Sequence, residues 1–138
     1  MSTGVPVHDD CLTVFQDLKL GKKYAYVIYK LNETYTEIVV EKTAPAGAKY
    51  DEFVASLPAT DCRYCVYDVE YEAAEGGVRN KIIFVAWSPD DARIKAKMTY
   101  AGSKDAIRRK LVGISTEVQA TDFSEIDMSA ILDKIQRI

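Results

Sequence analysis

The stretch Trp87-Ser88-Pro89-Asp90-Asp91-Ala92-Arg93-Ile94-Lys95-Ala96-Lys97-Met98-Thr99-Tyr100-Ala101-Gly102-Ser103-Lys104-Asp105-Ala106-Ile107-Arg108-Arg109-Lys110 decides how this chain is read. It spells the end of a buried strand, a helix start, and a long helix with one strongly basic side. Ser88 has the side chain to cap free amides, and Pro89 suits a first helical position because it has no amide hydrogen to leave unpaired. Asp90 and Asp91 then fall at the positive end of the helix dipole, and Arg108, Arg109 and Lys110 near the negative end. Capping accounts for the two ends. It does not account for Lys95, Lys97 and Met98, a cationic and partly apolar strip in the middle.

Working outward, residues 1–6 are small and polar and read as a mobile tail. From Val7 to Leu18, apolar residues recur at helical spacing, with Gly21 as the stop. Tyr24–Leu31 and Thr36–Thr43 have strand composition, joined by a short loop at Asn32-Glu33. Ala44–Lys49 is a loop, and Tyr50–Leu57 a short helix ending before Pro58. Cys62–Tyr71 and Lys81–Trp87 are two more strands, turned at Glu75-Gly76-Gly77. The long helix follows, with a bend expected at Gly102 and a stop at Gly113. Thr116–Ala120 is a further strand, and Ser129–Arg137 a last helix with Ile131, Leu132 and Ile135 inward. Helices interspersed with hairpin strands predict an α/β (α+β) fold, a sheet with helices on its faces.

At 138 residues the chain suits one domain, 1–138, large enough to bury a core without staples. Hydrophobic residues at 48% and charged residues at 28% are ordinary globular values. A net charge of -3 argues against a nucleic-acid binder, which is usually basic overall. The basic residues are instead local, which suits an acidic patch on a protein or anionic lipid headgroups. No run is long and apolar enough for a membrane span, and none opens the chain as a signal peptide. Three cysteines without disulfide-framework spacing favour a reducing compartment.

Enzymatic readings find little support. Cys62-x-x-Cys65 has redox or zinc spacing but lies in strand-like sequence, where alternation points the two thiols to opposite faces. Zinc needs more ligands, and His8 is the only histidine. Glu75-Gly76-Gly77-Val78-Arg79-Asn80-Lys81 lacks the spacing and ending of a phosphate loop, and a hairpin turn explains its glycines. Asp68, Glu70 and Glu72 alternate along one strand, where solvated or ion-paired carboxylates are the simpler reading. No serine-centred nucleophile motif is present. The expected cofactor and metal content is none.

The long-helix stretch, with Trp87-Ser88-Pro89 and Lys97-Met98-Thr99-Tyr100-Ala101-Gly102-Ser103-Lys104, resembles the signature of the actin-depolymerising factor/cofilin family. So do Thr3-Gly4-Val5, Leu18-Lys19-Leu20-Gly21-Lys22-Lys23-Tyr24, Thr36-Glu37-Ile38-Val39-Val40, Asp61-Cys62-Arg63-Tyr64, Tyr67-Asp68 and Gln119-Ala120-Thr121-Asp122-Phe123-Ser124-Glu125. The likeness runs in order along nearly the whole chain and is greatest to fungal members. It implies a single actin-depolymerising-factor homology domain, a mixed central sheet of five to six strands with helices on both faces. It implies a non-enzymatic monomer that binds monomeric and filamentous actin, prefers the ADP form, and severs and depolymerises filaments.

The same resemblance implies which residues do so. Thr3, Gly4, Val5, Lys95, Lys97, Met98, Ser103, Lys104, Arg108 and Arg109 match positions that contact actin in both monomer and filament. Arg79, Lys81, Asp133, Lys134 and Arg137 match positions that touch the second subunit along a filament. The family's inhibitory phosphorylation serine is here Thr3, with Ser2 beside it. Thr116 stands where some vertebrate members carry a pH-sensing histidine, and Lys22-Lys23 is too short for the nuclear-import run of animal members. Implied partners beyond actin are phosphatidylinositol bisphosphate and turnover cofactors such as cyclase-associated protein. The implied location is cytoplasmic, in cortical or patch actin, with nuclear entry alongside actin. Two alternatives stand beside this reading. One is a binder of the Arp2/3 complex like glia maturation factor, against which Lys95-x-Lys97-Met98 and Gly4-Val5 weigh. The other is a small redox or hydrolytic enzyme built on Cys62 and Cys65 or the strand carboxylates.

Overall fold

The computed structural model describes residues 5–136. In chain order the elements are helix α1 (Asp9–Lys19), strands β1 (Tyr24–Leu31) and β2 (Ile38–Pro45), helix α2 (Tyr50–Ser56), strands β3 (Arg63–Glu72) and β4 (Val78–Trp87), helix α3 (Ile94–Lys110), strand β5 (Thr116–Ala120) and helix α4 (Met128–Gln136). A 3-10 turn, Phe123–Ile126, leads into α4. The strands form one five-stranded sheet in the order β2-β1-β3-β4-β5. Every neighbouring pair is antiparallel except β4 and β5, which are parallel and joined through α3. The sheet is therefore mixed, as expected.

Strand alternation sends residues to two separate cores. One face packs α1 and α3: Cys11, Phe15, Leu18, Tyr100 and Ile107 meet Val27, Tyr29, Tyr64, Val66 and Phe84. The other face packs α2 and α4: Phe53, Ile131 and Ile135 meet Tyr26, Ile28, Val85, Trp87 and Val118. Helices thus cover both faces, and α3 and α4 lie on opposite sides of the sheet.

Several boundaries differ from the sequence reading, each through a contact distant in sequence. Ser88 does not cap α3. Its backbone amide donates to the Ala120 carbonyl, and the Asp90 amide to the Thr121 carbonyl, so this segment prolongs the pairing of β4 with β5. The helix starts only at Ile94, behind an extended Arg93 that offers no side-chain cap, and its first turn holds no acidic residue. Asp90 and Asp91 therefore sit in the preceding turn and not on the helix dipole. The helix then runs through Gly102 to Lys110 without interruption.

α1 begins at Asp9 because Val7 is taken by a parallel bridge to Ile38 and the His8 ring nitrogen accepts the Asp10 amide. β2 begins at Ile38, two residues later than expected, because the Asn32 side-chain oxygen captures the amides of Thr36 at 2.8 Å and Glu37 at 3.3 Å. At its other end β2 runs on to Pro45, which an edge strand tolerates. Of the expected tail, residues 1–4 lie outside the described residues. Val5 packs on the α1–α3 core, and the Pro6 carbonyl accepts the Ile38 amide.

Candidate functional site

α3 carries the most distinctive surface. Its buried side is the series Ala96, Tyr100, Ser103 and Ile107, spaced to meet the sheet once per turn. Tyr100 is fixed there by two bonds: its hydroxyl accepts the Leu31 amide at 3.0 Å, and its carbonyl accepts the Tyr64 hydroxyl. At about 100° per residue, the opposite ridge is Ile94, Met98, Ala101, Asp105 and Arg109. Ile94 is 75% exposed and Met98 69% exposed, although both are large and apolar. Neither belongs to a core cluster among the described residues.

Cations flank this ridge on both sides. Lys95 leans toward the β1–β2 turn, its ammonium 5.5 Å from the centre of the Tyr35 ring. Lys97 falls on the other flank, where its ammonium donates to the Asp90 carbonyl at 2.6 Å. The sequence strip Lys95-Lys97-Met98 is thus an apolar ridge between two separated cations. Lys104 and Arg108 continue the Lys97 flank. Both are held by one carboxylate: Lys104 Nζ donates to Glu117 Oε2 at 2.7 Å, and Arg108 Nε to Glu117 Oε1 at 3.0 Å. The Arg108 guanidinium also lies 5.7 Å from the Phe84 ring centre. Partial burial pushes the Glu117 pKa up, but the hydrogen bonds and charges of Lys104 and Arg108 outweigh it and hold the carboxyl below its ordinary range. A small cavity of about 120 Å³ opens between Lys97, Lys104, Ser88 and Gln119. Arg109 is exposed on the ridge. Ser103 is not on this surface at all, being 1% exposed with no hydrogen-bond partner for its hydroxyl.

A second group gathers on the opposite side of the sheet. Arg79 is exposed near the start of β4, and Lys81 reaches across to the Ile135 carbonyl at 3.3 Å. Gln136 returns a bond to the Glu72 carbonyl at 3.2 Å. The hairpin base is thereby tied to the end of α4, with a cavity of about 370 Å³ between them. Asp133 and Lys134 are exposed on the same helix. Arg137 lies outside the described residues, as do Ser2, Thr3 and Gly4. Val5, half-buried, is the one member of the N-terminal set that the structure places.

The competing chemistries find no geometry among the described residues. Cys62 packs in the α1–α3 core and Cys65 in the α2–α4 core, so the two thiols are on opposite faces. Burial pushes the Cys11 thiol up to about 12, with Asp10 and Glu37 adding to it, and burial raises Cys62 and Cys65 as well. Such thiols are poor nucleophiles at neutral pH. Asp68 is ion-paired with Lys22 at 3.3 Å and bonded to Asn80. Gly76 and Gly77, at φ of 98° and 87°, form the β3–β4 turn that positive φ requires of glycine. No group of three or more potential metal ligands occurs among the described residues, and no helix is long and apolar enough to cross a membrane.

The sequence profile of the family described as cofilin/tropomyosin-type actin-binding protein matches residues 4–136. This chain belongs to that family. It is 58% identical over 137 residues to the cofilin of Mycosarcoma maydis, covering 99% of this chain and 98% of that relative. The crystal structure of Streptomyces griseoflavus cofilin superposes with a TM-score of 0.89 at 52% identity, covering 95% of this chain and 96% of that one. The fold alone reaches further. Glia maturation factor from Caenorhabditis elegans gives a TM-score of 0.77 at only 18% identity, covering 96% of each chain. The chain is thus an actin-binding depolymerising factor of the cofilin family, and its single domain is the actin-depolymerising-factor homology fold.

Sequence reasoning missed three residues of the α3 surface. Ile94 was legible, because it stands four residues before Met98, outside the buried series. Tyr35 and Glu117 were not, since they come from other elements and meet α3 only in three dimensions.

Proposed function

We propose that this cofilin-family chain binds actin monomers and filaments through two surfaces, prefers the ADP form, and severs filaments without catalysing any reaction. The α3 ridge with its flanking lysines, together with the N-terminal segment around Thr3, Gly4 and Val5, grips one subunit. The hairpin base at Arg79 and Lys81, with Asp133, Lys134 and Arg137 of the C-terminal region, grips the next subunit along the filament. The observation that carries the reading is the exposed Ile94–Met98 pair between Lys95 and Lys97. An apolar anchor inside a cationic rim fits an apolar cleft with an acidic edge, and a methionine adapts well to such a cleft. Holding two neighbouring subunits shifts a filament between states only if the protein binds those states unequally, and the strain falls where decorated and bare segments meet.

Filament severing watched by microscopy tests this directly: the parent protein cuts partly decorated filaments, and filaments that stay intact at partial decoration contradict it. Run with vesicles containing phosphatidylinositol bisphosphate, the same assay reads lipid competition for Lys95, Arg109 and Lys110. Each basic group near an anionic surface contributes about 1 kcal/mol, so inhibition is expected to be strongest at low salt. Severing unchanged by vesicles at low salt removes the lipid from the partners. Cyclase-associated protein as a co-factor of turnover, and a location in cytoplasmic cortical or patch actin, belong to the same proposal. Enhanced turnover on adding the first, and co-staining with filaments, test them.

A phosphate on Thr3, or on Ser2 beside it, adds about -1.5 to -2 charge in a segment that approaches an acidic partner. Thr3→Glu is expected to weaken actin binding strongly while Thr3→Ala remains active. Parent-like binding by Thr3→Glu removes the segment from the interface.

A further inference from the structure

Glu117 belongs to no surface described so far as meeting a partner, yet it controls two residues that do. It sits on β5, and its two carboxylate oxygens each take one donor from α3: Nζ of Lys104 at 2.7 Å and Nε of Arg108 at 3.0 Å. Lys104 and Arg108 stand four residues apart on one helix flank, one turn from each other. The carboxylate occupies only Nε of the guanidinium. The terminal amino groups, which form the fork that binds a carboxylate in two-point fashion, have no hydrogen-bond partner among the described residues. Phe84, beneath the guanidinium at 5.7 Å, limits its tilt.

From this geometry we propose that Glu117 is a positioning residue, which holds Lys104 and Arg108 as a preformed receptor for an acidic side chain of the bound protein. The inference rests on α3 being the actin-binding surface and adds how that surface is set. Lysine and arginine side chains lose much rotamer freedom when they are fixed by a partner. Here the fold has fixed them beforehand. A fixed pair binds more tightly than a free one for the same contacts, because the ordering cost has been met within the free protein.

Positioning predicts an effect opposite in sign to simple charge counting. Glu117→Gln keeps the size of the side chain but removes one negative charge and the clamp. Against an acidic surface, added positive charge alone strengthens association. Loss of positioning weakens it. The experiment is monomeric actin affinity for the parent, Glu117→Gln, and Asp51→Asn. The last makes the same charge change on α2, on the opposite sheet face, and serves as the control. Thermal midpoints taken alongside establish that all are folded. Glu117→Gln is expected to weaken binding roughly three- to tenfold, while Asp51→Asn leaves it unchanged or slightly tighter. Added to a Lys104→Gln, Arg108→Gln double variant, Glu117→Gln is expected to weaken binding no further than that double variant already does, because Glu117 acts only through those two residues. Binding by Glu117→Gln at or above the parent level overturns the proposal, as does the same roughly three- to tenfold further loss when Glu117→Gln is added to the double variant. A parent protein that fails to bind actin overturns the functional reading itself, a result distinct from both.

Discussion

Ser103 shows how a residue inside the signature of the long helix can serve the fold and not the partner. It sits in the series Ala96, Tyr100, Ser103, Ile107, whose spacing turns every member toward the sheet. Its hydroxyl is buried without a partner, so it carries a desolvation cost and returns no bond. Ser103→Ala is therefore expected to leave actin affinity unchanged and to be neutral or stabilising by up to about 1 kcal/mol, measured by denaturant unfolding. A clear loss of actin affinity in a stable Ser103→Ala protein would restore the residue to the binding surface. Glu117 gives the pH counterpart. Its carboxyl is held below the ordinary value of 4.5 because Lys104 and Arg108 favour the charged form more than burial disfavours it. A depressed folded-state pKa contributes stability that is present above the unfolded value and lost as pH falls through the folded one. The stability gap between the parent and Glu117→Gln is thus expected to be full at neutral pH and to close as pH drops below about 4.5. A gap that persists undiminished at about pH 3 would show that the clamp does not act through the ionised carboxylate.

At the scale of elements, α3 is a helix whose inner face is structural and whose outer ridge is available. The inner face was not read from the sequence, which set Ser103 on the binding surface; β1 and β5 were legible, and their boundaries match the sequence reading. The start of α3 was not legible. Ser88-Pro89 is a good local cap signal, but the Asp90 amide that such a cap would serve is claimed by the Thr121 carbonyl, contributed by a distant segment beyond α3. A pairing between distant segments outranked a local preference. The same applies to Lys95 and Lys97: adjacent in sequence reasoning, they diverge to opposite flanks because the helix turns about 200° in two residues. As two central charges on either side of an apolar anchor, each is expected to contribute about 2 kcal/mol or more to binding. Lys95→Ala with Lys97→Ala is therefore expected to weaken monomer affinity by a factor of hundreds, with the far-UV spectrum and thermal midpoint retained. Near-parent affinity in the folded double variant would show that the ridge is not the contact.

At the scale of the whole molecule, the sheet is what separates the two candidate surfaces. α3 packs on one face and α4 on the other, and the β3–β4 hairpin joins the second surface through Lys81 and Gln136. Sequence likeness named the charges of both candidate surfaces, but not their division across the sheet, nor the bond that makes Lys81 partly structural. Because Lys81 anchors the Ile135 carbonyl, changing it loosens α4 as well as removing a charge. Arg79, exposed and without that duty, is the cleaner probe. The most direct test is the pair of numbers obtained for Arg79→Ala: its monomer affinity by titration and its severing rate on single filaments under the microscope. Two separable surfaces predict monomer affinity close to the parent's and severing clearly reduced, because only a filament offers the neighbouring subunit. Equal losses of both, or severing at the parent rate, would contradict the account.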